Sequence, residues 1–142
     1  MKEELAGALA AEEAAIWAYG LIGVHLPDEA EQDQARACED VHRLRRDFLV
    51  GRLAGLKAST APTPPGYQLP FPVTDRASAL KLAVHVEDGV AQAWRVVLPV
   101  TESAERVDAL SALTDSAVRA TKWRKLAQLS PLTLIFPGRP TA

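Results

Sequence analysis

Ala58-Ser59-Thr60-Ala61-Pro62-Thr63-Pro64-Pro65-Gly66-Tyr67-Gln68-Leu69-Pro70-Phe71-Pro72-Val73-Thr74-Asp75 divides the chain into two halves that no tight turn can join. Five prolines and Gly66 forbid a helix here. Yet Tyr67 to Val73 is too apolar for a free linker. It is expected to lie along the surface of its neighbours and pack there.

Helical patterns flank this stretch on both sides. Upstream, Leu5, Leu9, Ile16, Tyr19 and Leu26 recur at steps of three, four or seven, which keeps one helix face inward over about residues 3–25. Pro27 suits a helix start, where a missing N–H costs nothing. Asp28, Glu29, Glu31 and Asp33 follow it, and Arg43, Arg45, Arg46, Arg52 and Lys57 come later. That charge order fits the macrodipole of a second helix over about 29–57. Downstream, Thr74 or Asp75 caps a third helix over about 76–98, closed by Pro99. Thr101 or Ser103 starts a fourth over about 102–127, acidic first and basic last. Residues 128–142 read as an extended tail.

The connections set the topology. Two short turns make two antiparallel hairpins, and one link of about eighteen residues joins them. A link that long can cross the length of a bundle. The chain therefore reads as all-α: one antiparallel four-helix bundle, a single domain over 1–142, with the one-crossover connectivity of ferritin-like folds.

Composition narrows the function. The 142 residues carry a net charge of -2, so nothing favours nucleic acid. A single cysteine, Cys38, cannot form an internal disulfide and fits a reducing, cytoplasmic setting. The acidic N-terminus is unlike a signal peptide, and no uninterrupted apolar run approaches the roughly 18 residues of a membrane span, so no membrane partner is expected.

Polar residues on the inward stripe carry the chemistry. Ferritin-like di-metal proteins use one Glu from each of two helices and Glu-x-x-His from the other two. Here Glu12 lies between Leu9 and Ile16, Glu39-Asp40-Val41-His42 is a literal Glu-x-x-His, and Glu87 is spaced by threes and fours from Leu80, Val84, Ala91 and Trp94. Glu12 and His42 both stand fifteen residues from Pro27, about 22 Å at 1.5 Å per residue. Glu87 and Asp115 both stand fourteen from Thr101. All four converge near mid-bundle.

The fourth helix has no histidine, and its level reads Thr114-Asp115-Ser116-Ala117-Val118. Two readings follow. Glu12, Glu39, His42 and Glu87 could hold Fe or Mn, which take oxygen and nitrogen ligands. Alternatively, the core is a polar network in which Arg45, Arg46, Arg119 and Arg124 pair with Glu12, Glu87 and Asp115 around His42, because an unpaired buried carboxylate is costly. The second is preferred. Trp17, Trp94 and Trp123 read as packing residues, Glu13 as solvent-facing and Cys38 as a small core residue.

Four segments resemble a known family: Ala10-Ala11-Glu12-Glu13-Ala14-Ala15-Ile16-Trp17-Ala18-Tyr19-Gly20, His42-Arg43-Leu44-Arg45-Arg46-Asp47, Tyr67 to Asp75, and Ala112 to Arg119 with Trp123-Arg124. They are similar to the ferritin-like domain-of-unknown-function family 4439 of high-GC bacteria. The resemblance implies a ferritin-like bundle without an established activity. It places Glu12, His42, Arg45, Arg46, Asp75, Glu87, Asp115, Arg119 and Trp123 in family-like motifs. Glu13 stands where a histidine is expected, which removes one ligand. The expectation is a bundle without a working di-metal centre and without a cofactor. It would be a homodimer that binds a partner protein or small ligand, and not an enzyme. The alternative is an Fe- or Mn-dependent oxidase, hydroxylase or metal store.

Overall fold

The computed structural model describes residues 1–140; the last two residues of the tail expected over 128–142 lie outside them. Among the described residues the fold is all-helical: α1 (Lys2–Val24), α2 (Glu29–Gly55), α3 (Arg76–Val97) and α4 (Ser103–Ala127), with one 3-10 turn, Leu98–Val100, before α4. The Asp28 carboxylate accepts from the Ala30 amide and caps α2. Asp75 and Ser78 form a reciprocal capping box on α3. Neither Thr101 nor Ser103 caps α4. The preceding residue is Glu102, without a side-chain cap, and the Thr101 hydroxyl donates instead to Val97 O at 2.9 Å.

Two apolar clusters fill the core. One gathers Tyr19, Ile22, Leu26, Leu80 and Trp123, and the other Leu5, Leu49, Leu53, Trp94 and Val97. Ile16, expected inward, is only half-buried; Ala15, Ala18 and Ile22 take that face. α1 contains an 18-residue window of mean hydropathy 1.3, of which 44% is buried in the bundle. It is thus apolar enough by length and composition to span a membrane, contrary to the reading of its sequence. The reason is that leucines, isoleucines and scattered alanines lift the mean, while Glu12 and Glu13 break any uninterrupted apolar run.

Cross-helix contacts fix the layout. Glu31, near the start of α2, takes a two-pronged bond from Arg76 at the start of α3, at 2.8 and 2.6 Å. Those two starts share one end of the molecule, so the crossover must return along its length. It does so packed: Tyr67 leans on Trp17 with ring centroids 5.5 Å apart, Phe71 meets the His85 ring edge-on, and Leu69 and Val73 join the first cluster. Glu13 is half-buried and accepts from the Thr63 hydroxyl at 3.0 Å, so it holds the crossover and is not a free surface group.

The tail docks through Gly138, whose φ is +82°. A Cβ there would stand 2.8 Å from Ala91 O and 3.0 Å from Arg95 Cβ. Gly138→Ala is expected to cost about 1–3 kcal/mol and free the tail, from left-handed strain and a backbone collision. A lower melting temperature with faster proteolysis within 130–139 is the check; an unchanged cleavage pattern would contradict it.

A candidate functional site at the centre of the bundle

Between the two apolar clusters lies a layer of buried polar side chains, one or more from each helix. Glu12, His42, Glu87 and Ser116 are all fully buried. His42 sits in the middle. Its Nδ1 is 2.5 Å from Glu12 Oε2 and its Nε2 is 2.8 Å from Glu87 Oε1. The remaining bonds come from aromatic donors. Trp94 Nε1 donates to Glu12 Oε1 at 2.6 Å, and the Tyr19 hydroxyl donates to Glu87 Oε1 at 2.6 Å. Trp123 Nε1 in turn donates to the Tyr19 oxygen at 2.9 Å. Glu87 Oε2 is buried with no hydrogen-bond partner.

The pattern has a simple origin in sequence. Tyr19 follows Glu12 by seven residues, and Trp94 follows Glu87 by seven. Two helical turns keep each pair on one face. As numbers rise on α1 they fall on α3 along the contact, so each aromatic group reaches the other helix's glutamate. These donors were missed as mere packing residues; the repeated Glu-to-aromatic step of seven is the signal that could have revealed them.

Arg45 extends the network outward. Its Nη1 is 3.6 Å from Glu12 Oε1 and donates to Ser116 Oγ at 3.0 Å, while Nη2 bonds Asp115. Arg119 Nε donates to the same Asp115 oxygen at 2.8 Å, and its Nη1 reaches Cys38 Sγ at 3.2 Å. One connected set therefore joins all four helices. Two cations, His42 and Arg45, face the two innermost carboxylates, which is what lets charge remain in a dry core.

Burial alone would pull the His42 imidazole down. Hydrogen bonds and charge from Glu12 and Glu87 outweigh it and raise its pKa from 6.5 to about 9. Burial also pushes the Tyr19 hydroxyl and the Cys38 thiol up, so both stay protonated at neutral pH.

Three residues expected at the centre stand elsewhere. Glu39 lies on the flank of α2, 3.5 Å from Arg43. The buried row of α2 runs through Ala35, Cys38, His42, Leu49 and Leu53, and three residues before His42 falls off that row. Arg46, one step from Arg45, is turned outward and bonds Asp47 at 3.0 Å. Arg124 is buried but bonds Asp88 on α3, apart from the central set. The expected arginine partners for both central glutamates are thus replaced by His42, Tyr19 and Trp94, with Arg45 touching Glu12 alone.

These residues do not fit a di-metal centre. Both His42 nitrogens are occupied by carboxylates, Asp115 is held between two guanidinium groups, and Glu39 points away. Among the described residues no three His, Cys, Asp or Glu side chains are placed to hold a metal ion.

Unlike the other neighbouring helices, α2 and α4 do not pack closely. Inward residues of α4 over 109–116 are small (Ala109, Ala112, Ser116), and long side chains bridge the gap: Arg45 to Asp115, and Arg52 to Glu105 at 2.7 Å. A groove of about 460 Å³ results, with Val41, Leu44, Phe48, Trp94 and Ala112 as apolar lining and Arg45, Asp108, Asp115 and Arg119 among its polar lining. Trp94 and Arg45 line this groove and bond or approach Glu12, so the groove floor and the buried layer share side chains.

A family model described as "Domain of unknown function (DUF4439)" matches residues 4–141. The chain belongs to the DUF4439 family. It is similar to a crystal structure of a conserved hypothetical protein, rv2844, from Mycobacterium tuberculosis, at 38% sequence identity and a TM-score of 0.82. The likeness covers 87% of this chain and 94% of that one. No curated protein matches the chain. Tyr19, Glu12, His42 and Glu87 of this DUF4439 chain thus sit inside the matched region, as does the groove.

Proposed function

We propose that this protein is a binding module built on a ferritin-like, antiparallel bundle whose mid-level position is filled by an ion network instead of metal. The groove between α2 and α4 is its ligand site. The long crossover, and residue numbers that run in opposite senses across α1–α3 and α2–α4, support that arrangement.

The observation that carries the reading is the groove itself. It has the volume and mixed lining of a small-molecule site, apolar walls with a few converging polar groups. A central layer with every His42 nitrogen engaged supports a structural role for the residues beneath it. They brace the helices while α2 and α4 stay apart.

Leu44 and Phe48 are 71% and 45% exposed, so changing them spares the core. Nile red, a neutral apolar probe, is expected to bind saturably at one site and to quench or shift Trp94 emission. Phe48→Asp should weaken it by about tenfold, the equivalent of ~1.4 kcal/mol. Binding indifferent to both Phe48→Asp and Leu44→Asp would overturn the groove as the ligand site.

A further inference from the structure

On the far side of Arg119, whose guanidinium bridges α4 to Cys38 of α2, the helices leave a second opening. This cavity of about 670 Å³ is lined by Gln34, Ala37, Arg119, Lys122, Lys125 and Gln128, along with Leu126. Arg119 belongs to both cavities. The two cavities, which meet at Arg119, differ in character. The first is walled by Val41, Leu44, Phe48, Trp94 and Ala112. The second presents two lysines and two amides and only two apolar residues.

The cations of α4 are not equivalent. Arg119 is neutralised by Asp115 and Arg124 by Asp88. Lys122 and Lys125 are exposed and hold no carboxylate among the described residues. Both lysines line the second cavity, on the other side of Arg119 from Phe48 and Trp94. In a chain of net charge -2 that is a local excess of positive charge. Along α4, Ala112 to Lys122 spans roughly 15 Å at 1.5 Å per residue, a reach that one extended acyl chain covers.

We propose that the α2–α4 groove takes an anionic amphiphile, its apolar chain against Phe48, Leu44, Val41 and Trp94 and its acidic head at Lys122 and Lys125. This rests on the groove reading above and adds the polarity of the ligand to it. The shared chemistry is an acidic head on a single apolar chain, whether a free carboxylate or a phosphate monoester.

Competition against Nile red on the full chain, with each amphiphile kept below its micelle threshold, tests the proposal. Dodecanoate or dodecyl phosphate should displace the probe at concentrations about tenfold lower than dodecanol or dodecyltrimethylammonium, one ~1.4 kcal/mol interaction. The better of the two acids then identifies the head as carboxylate or phosphate. Lys122→Glu with Lys125→Glu, both surface changes, should erase that advantage while leaving dodecanol unchanged. Equal displacement by acid, alcohol and ammonium would overturn the anionic ligand and leave the groove reading standing. An acid advantage that survives both lysine reversals would overturn the placement of the head. Failure of every amphiphile to displace the probe, with probe binding indifferent to Phe48→Asp, would overturn the groove reading itself.

Discussion

His42→Ala should destabilise the folded chain by roughly 3–5 kcal/mol, the cost of removing one partner from a buried ion network. The substitution leaves Glu12 and Glu87 facing each other in a fully buried layer with only Trp94, Tyr19 and the more distant Arg45 as partners. Most of the loss comes from carboxylates stranded without a counter-charge, and the lost ring contacts are the smaller part. A companion variant separates the two. Adding Glu12→Gln and Glu87→Gln to His42→Ala removes the stranded charge and should recover much of the stability. Urea unfolding of the three proteins at neutral pH is the measurement. A triple variant no more stable than His42→Ala would show that packing, and not charge, dominates the layer.

Stability should also fall as solution pH rises from neutral into the alkaline range. The His42 pKa in the folded chain is about 9 against 6.5 when free, so folding tightens its hold on the proton. The stabilisation is then fully present below about 6.5 and disappears as pH climbs through about 9. The gap corresponds to roughly 3 kcal/mol at full strength. A series of urea midpoints across this range should slope downward in the native chain and be nearly flat in the variant lacking His42, Glu12 and Glu87 charges. Parallel slopes in both would place the sensitive group elsewhere.

Much of this arrangement was legible in the sequence because helices advertise themselves locally. Pro27, Asp28, Asp75 and Pro99 punctuate the chain: α1 closes three residues before Pro27, α2 and α3 start directly after Asp28 and Asp75, and α3 closes two residues before Pro99. Counting residues from the turns was enough to bring Glu12, His42, Glu87 and Asp115 to one level. What the sequence could not carry is helix rotation. Arg45 and Arg46 are neighbours in the chain, yet about 100° of turn sends one to Asp115 and Glu12 and the other to the surface. The same geometry misplaced Glu39: a literal Glu-x-x-His pattern drew attention to it, while Cys38 occupies the buried row.

The groove was hidden for a different reason. Small residues such as Ala112 and Ser116 on an inward face allow either close packing or a gap, and only the facing helix chooses. Here Arg45, Arg52 and Arg119 bridge α2 and α4 with long side chains, and the apolar surface of Phe48 and Leu44 is left beside open space. The aromatic donors were hidden because Trp and Tyr read first as bulk. Their polar ends matter only once the partner helix is in register.

Nitrogen NMR of the His42 ring, followed through its titration, tests the ion-network account most directly. Both ring nitrogens should be protonated at neutral pH and lose a proton only near pH 9. A neutral ring at neutral pH, with one nitrogen carrying a free lone pair, would contradict the account and return His42 to the set of groups able to bind a metal ion.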